Sequence, residues 1–262
     1  MRMPSLILSA LLLSAPVFAQ GSATVTPRPV ALGATVSNQF CNLGASTITL
    51  PSSQPWTIRT VGGSVVFAPI GLPVLTPLAP NECRTFSWNQ RDMLGAQVPA
   101  GLYLWDVRWF DPQFNPQTTT VCFEITTAVA SVCANGPFPV NCPIRINYSS
   151  PGEGGLNYFS ASAFGDRPGI PLDACRVIPV NVDGLFLFSL CQNAGPIFFN
   201  MCGVLSNTGT AQATVVPPND ARLAGFGFFT AFITADGSGL RSISTSVRTE
   251  LAVPGPPCPC GP

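Results

Sequence analysis

The chain has 262 residues with 12 basic and 12 acidic side chains, and every basic residue is an arginine because lysine and histidine are absent. These absences exclude Ser–His–Asp and Cys–His catalysis, lysine Schiff bases, phosphate-loop lysines and the usual histidine-based zinc and iron sites. The balanced charge also provides no basic excess for binding nucleic acid.

Residues 1–19 are predicted to be a signal peptide. Arg2 gives a positive start, residues 6–13 are apolar, and residues 17–19 end in a small-x-small cleavage site before Gln20. The apolar run is too short to cross a bilayer, which takes about 20 residues, and no later stretch reaches that length. We therefore expect a secreted, extracellular or cell-surface protein without a transmembrane segment.

Short segments of β-branched and aromatic residues, separated by frequent Pro and Gly, predict strands along the whole chain. In residues 102–110 the side chains alternate, which places Tyr103 and Trp105 in a core and leaves Asp106 and Arg108 near solvent. The pattern predicts an all-β fold with two β-sandwich, immunoglobulin-like domains at residues 20–127 and 144–253. A Pro-rich, Cys-containing linker at residues 128–143 joins them, and residues 254–262 form a Pro- and Cys-rich tail.

The acidic residues are scattered singly along turns and form neither a carboxylate pair nor a calcium loop, so we expect no enzyme activity, no cofactor and no metal site. Arg91 and Asp92 are interpreted as a turn ion pair. Asp183 and the following glycine are interpreted as a tight turn before a strand over residues 184–190. Ser238 lies in a glycine-rich hairpin turn, where no histidine exists to activate it.

Ten cysteines in a secreted chain indicate structural disulfides. They are Cys41, Cys83, Cys122, Cys133, Cys142, Cys175, Cys191, Cys202, Cys258 and Cys260. Residues 20–127 and 144–253 contain three each, and the linker and the tail contain two each. If all ten pair within the chain, at least one cysteine of each half must pair outside that half. The local pairs expected first are Cys133–Cys142 and Cys191–Cys202, while the complete connectivity stays open.

The two tail cysteines have three interpretations. Cys258 and Cys260 are two residues apart, and a disulfide between them would be strained. The two cysteines could form structural disulfides within the chain, form disulfides that link chains into an oligomer, or act as an incomplete metal-binding or redox pair.

The order of features in residues 24–127 resembles the immunoglobulin-like domain of the bacillar intracellular proteinase inhibitor family and the related module of flagellar hook-capping proteins. The matching residues, with Asn89 in place of a more usual Asp, are Trp88, Asn89, Asp92, Gly95, Val98, Pro99, Gly101 and Tyr103. The resemblance implies an immunoglobulin-like sandwich and identifies no inhibitory residues. Residues 144–253 are similar to an uncharacterised β module of planctomycete-type secreted proteins, which implies a compartment and an architecture but no reaction.

The favoured hypothesis is a non-catalytic secreted or cell-surface protein with a structural, adhesive or binding role. Its partner would be a protein or a glycan at the cell surface, bound through loops 71–81, 111–117 or 151–155. One alternative is a secreted protease inhibitor that presents loop 111–117. Another is a carbohydrate-binding module with an exposed aromatic platform or, less favoured, a carboxylate glycosidase.

Overall fold

The computed structural model describes residues 20–132, 138–191 and 196–253. The predicted signal peptide, Cys133 and the predicted tail with Cys258 and Cys260 lie outside the described residues. Within them nearly all of the regular secondary structure is β-strand. Two large hydrophobic cores are formed by residues 23–125 and 128–251, and a small third one contains Ala163, Val180 and Ala231. The predicted all-β, sandwich-type fold is confirmed.

The first sandwich packs a three-stranded sheet against a seven-stranded one. Its strands are β1 (Gly21–Thr26), β2 (Val30–Ala31), β3 (Val36–Asn42), β4 (Ile48–Leu50), β5 (Trp56–Thr60), β6 (Val65–Phe67), β7 (Thr76–Leu78), β8 (Cys83–Trp88), β9 (Gly101–Phe110) and β10 (Pro116–Thr126). The small sheet has the order β1-β3-β8, and the large sheet has the order β2-β10-β9-β4-β7, with the β5–β6 hairpin also on β9. All pairings are antiparallel except β2–β10, which is parallel.

The alternation predicted for β9 places its aromatic face in the first core. Tyr103, Trp105 and Trp109 are buried between the sheets as expected. The expectation for Asp106 is wrong, because this residue is buried on the opposite face. Arg59 of β5 and Thr120 of β10 lie across it and satisfy its carboxylate, whereas Arg108 is exposed as predicted.

The turn that precedes β9 is fixed by two hydrogen bonds from aromatic side chains. Tyr103 Oη donates to the carbonyl of Pro99 at 2.8 Å, and Trp88 Nε1 donates to the carbonyl of Arg91 at 2.8 Å. The rings of Trp88 and Tyr103 meet edge to face with centroids 6.1 Å apart. A tyrosine that bonds back to the backbone just upstream is a feature of immunoglobulin-like sandwiches, so this motif is architecture.

The second sandwich has a four-stranded and a six-stranded sheet. Its strands are β11 (Val129–Val132), β12 (Phe138–Pro139), β13 (Ile144–Ser149), β14 (Asn157–Ala163), β15 (Ile170–Pro171), β16 (Val177–Ile178), β17 (Phe198–Phe199), β18 (Cys202–Val204), β19 (Thr210–Val215), β20 (Gly227–Asp236), β21 (Gly239–Ile243) and β22 (Val247–Ala252). The orders are β11-β13-β19-β17 and β12-β22-β20-β14-β18, with β21 on β20 and a separate β15–β16 pair.

The described part of residues 128–143 differs from the predicted linker because it supplies strands to the second sandwich. β11 pairs with β13, and β12 pairs in parallel with β22. Ala130, Phe138 and Val140 are buried in the second core. Their burial explains why this Pro-rich segment is drawn into the sheets.

Residues 184–190 also differ from expectation, because Gly184–Ser189 form the short helix α1 rather than a strand. Asp183 caps this helix by accepting a hydrogen bond from the backbone N–H of Phe186 at 3.0 Å. The same carboxylate accepts from the N–H of Phe164 at 2.8 Å. Asp183 is therefore a structural cap rather than part of an isolated turn.

Disulfides connect strands within the first sandwich and also connect the two sandwiches. Cys41–Cys83 joins neighbouring strands β3 and β8, and Cys122–Cys175 joins the two sandwiches. Cys142 is also disulfide-bonded. Its expected partner lies outside the described residues.

The expected Cys191–Cys202 bond is not formed in this structure. Both residues are thiols, and the Sγ–H of Cys202 donates to the carbonyl of Cys191 at 3.5 Å. The two sulfurs are therefore held in the same neighbourhood without a covalent bond.

No helix within residues 20–132, 138–191 and 196–253 is both long and apolar enough to cross a membrane.

Candidate interaction surface

Large apolar side chains of the first sandwich are exposed along β6, the loop that follows it and the turn at residues 92–96. We call this surface the apolar face. It consists of Val65 (59% exposed), Ile70 (98%), Leu72 (70%), Met93 (59%) and Leu94 (93%). Single exposed apolar residues are ordinary, but a group assembled from separate segments is typical of an interaction site.

Backbone hydrogen bonds hold the three segments together. The N–H of Met93 donates to the carbonyl of Val66 at 3.2 Å, and the N–H of Ala68 donates to Met93 Sδ at 3.2 Å. Leu72 is fixed on the other side, because its N–H donates to Ser53 Oγ at 2.9 Å and its carbonyl accepts from the Ser53 N–H at 3.0 Å. The apolar face is therefore built on anchored loops.

The turn that displays Leu94 is organised by one carboxylate oxygen. Asp92 Oδ1 accepts from the N–H groups of Leu94 and Ala96, each at 2.9 Å. Gly95 adopts a φ of 83°, which a side chain would strain. The predicted Arg91–Asp92 ion pair is not formed, since Arg91 Nη1 instead donates to the Gly95 carbonyl at 2.7 Å.

A shallow pocket of about 450 Å³ adjoins the apolar face at Ile70. Trp56, Phe67 and Trp88 form much of its lining. The polar residues that line it are Thr35, Gln54, Ser87 and Asn89. Because Trp56 Nε1 already donates to Gln54 Oε1 at 2.7 Å, the indole leaves no buried donor without a partner. The pocket can receive an apolar side chain beside a polar rim.

Loop 111–117, the segment expected to bind a protease under the inhibitor hypothesis, is a tight hairpin turn. The N–H of Asp111 donates to the carbonyl of Asn115 at 3.0 Å, and Asp111 Oδ1 accepts from the N–H groups of Gln113 and Asn115. Phe114 is exposed with a φ of 62°. A protease accepts an extended segment, and this folded turn does not offer one.

Loop 151–155 turns its charged residue inward. Glu153 accepts hydrogen bonds from the hydroxyls of Ser150, Thr234 and Ser242 at 2.6 to 2.7 Å. This carboxylate ties the loop to β20 and β21. The loop is therefore a structural connection, and its acidic group is already fully used.

The tryptophans and tyrosines do not form an exposed platform for sugars. All seven are at most 8% exposed; they are Trp56, Trp88, Trp105, Trp109, Tyr103, Tyr148 and Tyr158. The large aromatic residues on the described surface are phenylalanines, such as Phe114, Phe164 and Phe226. The tryptophan and tyrosine rings, on which a sugar would stack, are therefore buried.

Glu124 is a buried carboxyl whose pKa is raised. It is 7% exposed beside the Cys122–Cys175 disulfide, and its Oε2 has no hydrogen-bond partner. Burial raises its pKa to about 7, although the charge of Arg176 opposes that shift. It lies at the contact between the sandwiches rather than in a cleft open to a substrate.

No group of three or more potential metal ligands occurs among the residues that the structure describes. Ser238 lies in the predicted turn, where its hydroxyl and N–H both donate to Asp236 Oδ1.

Neither a protein-family model nor a curated protein matches the chain. Among solved structures it is similar to red sea bream transglutaminase, at 11% identity and a TM-score of 0.31 over 89% of this chain and 31% of that one. It is also similar to trypsin-activated alpha-2-macroglobulin from Escherichia coli, at 10% identity and a TM-score of 0.30 over 89% of this chain and 15% of that one. The ligand-binding domain of human OSCAR matches at 11% identity and a TM-score of 0.25, over 87% of this chain and 96% of that one.

The chain spans less than a third of the first two proteins. These likenesses support no activity, and the family resemblances of the two halves stay predictions.

Proposed function

We propose that the protein is a non-catalytic, secreted or cell-surface β-sandwich protein that binds a protein partner through the apolar face. The observation that carries this proposal is the exposure of five large apolar side chains on β6 and on two neighbouring loops, with Ile70 98% and Leu94 93% exposed. Burying such side chains against a partner yields about 25 cal/mol for each Å² removed from water.

The chemistry of this surface favours a protein over a glycan. Interface cores are apolar and enriched in methionine, which adapts its shape to a partner. The apolar face contains Met93 and no charged side chain, and the neighbouring Trp56 and Trp88 are too buried for a sugar to stack on. The protease-inhibitor alternative is weakened because loop 111–117 is a compact turn rather than the extended segment that a protease accepts.

An extracellular setting is supported by the disulfides Cys41–Cys83 and Cys122–Cys175. Such bonds persist in oxidising compartments. The cell surface is therefore where we place the partner.

The test compares binding of the labelled secreted protein with binding of its variants to intact cells of the source. Ile70→Ser combined with Leu94→Ser should weaken binding about tenfold or more, since two central apolar anchors are lost. Leu187→Ser is the matched control, because it removes a 64% exposed leucine from the second sandwich. Equal binding by the double variant, or no binding by the wild-type protein, would contradict the proposal.

A further inference from the structure

A cleft of about 380 Å³ lies between the two sandwiches, away from the apolar face. One wall is formed by residues 24–29, which comprise the end of β1 and its connection to β2. The opposite wall is formed by residues 166–168, by Val177 and Pro179, and by residues 245–246. Two arginines line this cleft, one from each sandwich.

Arg28, from the first sandwich, is a partly buried cation without an anionic partner. Its Nη2 donates to the carbonyl of Cys122, while its Nε is buried and has no hydrogen-bond partner. Burial lowers the pKa of Arg28, as expected for a cation that is removed from water. A desolvated charge of this kind is stabilised when an anion reaches it.

Arg167, from the second sandwich, is exposed and forms no ion pair within the described residues. Its backbone carbonyl accepts from Asn181 Nδ2 at 2.6 Å, but its guanidinium makes no hydrogen bond within the described residues. None of the five ion pairs among those residues includes Arg28, Arg167 or Asp166. The ionisable groups on the cleft lining are thus two cations and the single carboxylate of Asp166, which leaves a positive excess.

We propose that this cleft binds a ligand that carries a carboxylate or a sulfate group. The guanidinium groups of Arg28 and Arg167 hold the oxyanion, and the hydroxyls of Thr26, Thr245 and Ser246 on the same lining supply further donors. A guanidinium presents paired N–H groups whose geometry matches such oxyanions. The proline side chains at the walls limit the ligand to a compact group.

Because the two arginines come from different sandwiches, a bound oxyanion contacts both. Binding therefore stabilises the arrangement of the sandwiches around the Cys122–Cys175 disulfide. This role is independent of the apolar face and survives if the proposed function of that face fails.

The test titrates galacturonate and inorganic sulfate separately into the secreted protein by calorimetry at low ionic strength, with galactose as the neutral counterpart of galacturonate. We expect saturable binding of at least one anion and none of galactose. Binding of galacturonate alone identifies the carboxylate as the group held, and binding of sulfate alone identifies the sulfate.

Arg167→Gln should weaken the anion at least about tenfold, because one of two guanidinium contacts is lost. This variant is preferred to Arg28→Gln, which also removes the hydrogen bond to Cys122. Arg145→Gln, on β13 and not on the cleft lining, should leave the affinity unchanged. The proposal is overturned if neither anion saturates below about 10 mM, or if Arg167→Gln binds like the wild-type protein.

Discussion

Asp106 and Arg59 form a charged pair on the outer face of the large sheet of the first sandwich. Arg59 Nη2 donates to Asp106 Oδ1 at 3.0 Å, its Nε donates to Oδ2, and Thr120 Oγ1 donates to Oδ1 at 2.7 Å. Burial by itself raises the pKa of Asp106, but the hydrogen bonds from Arg59 and Thr120 outweigh it and hold that pKa below its ordinary value. The pair links β5, β9 and β10.

Asp106→Asn should lower the free energy of unfolding by about 1.5 kcal/mol, because the partly exposed Arg59 loses its charge-assisted hydrogen bonds to the buried carboxylate. The folded pKa is depressed, so this stabilisation is present above the unfolded pKa of about 4 and is lost as the pH falls through the folded pKa. Urea unfolding at neutral and acidic pH measures both effects. Arg108→Gln, at an exposed position of the same strand, should change stability by about 0.5 kcal/mol or less, and an equally stable Asp106→Asn protein would refute the assignment.

Glu124 predicts a second pH dependence of opposite sign. Its pKa is raised by burial to about 7, above the unfolded value, so its favourable contribution is complete below about pH 4.5 and is lost as the pH rises through about 7. Glu124→Gln, which stays neutral, should flatten the fall in Tm across this window.

Thermal unfolding between about pH 4.5 and pH 8 measures that slope. Glu250→Gln is the matched control, since Glu250 pairs with Arg248 on an exposed surface and should leave the slope as in the wild-type protein. An unchanged slope in Glu124→Gln would show that Glu124 is not the responsible group.

At the scale of elements, β9 was predictable and α1 was not. The alternation of Tyr103, Trp105 and Trp109 determines which face of β9 is buried, because a strand has a side-chain period of two. The run over residues 184–190 is apolar apart from Ser189, and periodicity cannot distinguish a buried strand from a short helix in such a run. The sequence indicated a turn at Asp183. It did not indicate a helix cap, because that role depends on the hydrogen bonds from the N–H groups of Phe186 and of the distant Phe164.

The apolar face was only partly predictable for a similar reason. Loop 71–81 was selected from the sequence, and it contributes Leu72. Val65, Met93 and Leu94 join it through contacts such as that of Met93 N–H with the Val66 carbonyl, which no local pattern reveals. The buried state of Asp106 has the same origin, since its partner Arg59 is remote in sequence.

The neighbouring thiols of Cys191, which follows α1, and of Cys202, on β18, are expected to oxidise to a disulfide. Treatment of the protein with glutathione disulfide should transfer two hydrogens from Cys191 and Cys202 to form two molecules of glutathione and one Cys191–Cys202 bond. The bond closes a short loop and should add about 2–3 kcal/mol of stability.

Peptide mapping by mass spectrometry under non-reducing conditions identifies the bond. Cys202→Ser should lose the linked peptide and carry a glutathione adduct on Cys191 instead. Separate glutathione adducts on both cysteines of the wild-type protein, without the linked peptide, would contradict this expectation.

At the scale of the whole molecule, two sandwiches with separate cores are joined by the Cys122–Cys175 disulfide. The odd number of cysteines in each half predicted that a bond must leave each half. The odd count could not show that Cys122 and Cys175 pair with each other, because their pairing depends on the packing of β10 against the loop that contains Cys175. The resulting scaffold holds the apolar face in the first sandwich and the cationic cleft between the two.

The most direct test of the proposed binding role is hydrogen–deuterium exchange of the secreted protein, alone and with membrane-surface extract from the source cells. We expect the backbone amides of residues 64–75 and 92–96, which surround the apolar face, to exchange more slowly in the bound state. Exchange in loop 111–117 should change little. Protection of loop 111–117 or of the second sandwich, with none in residues 64–75 and 92–96, would contradict the claim that the apolar face is the binding surface.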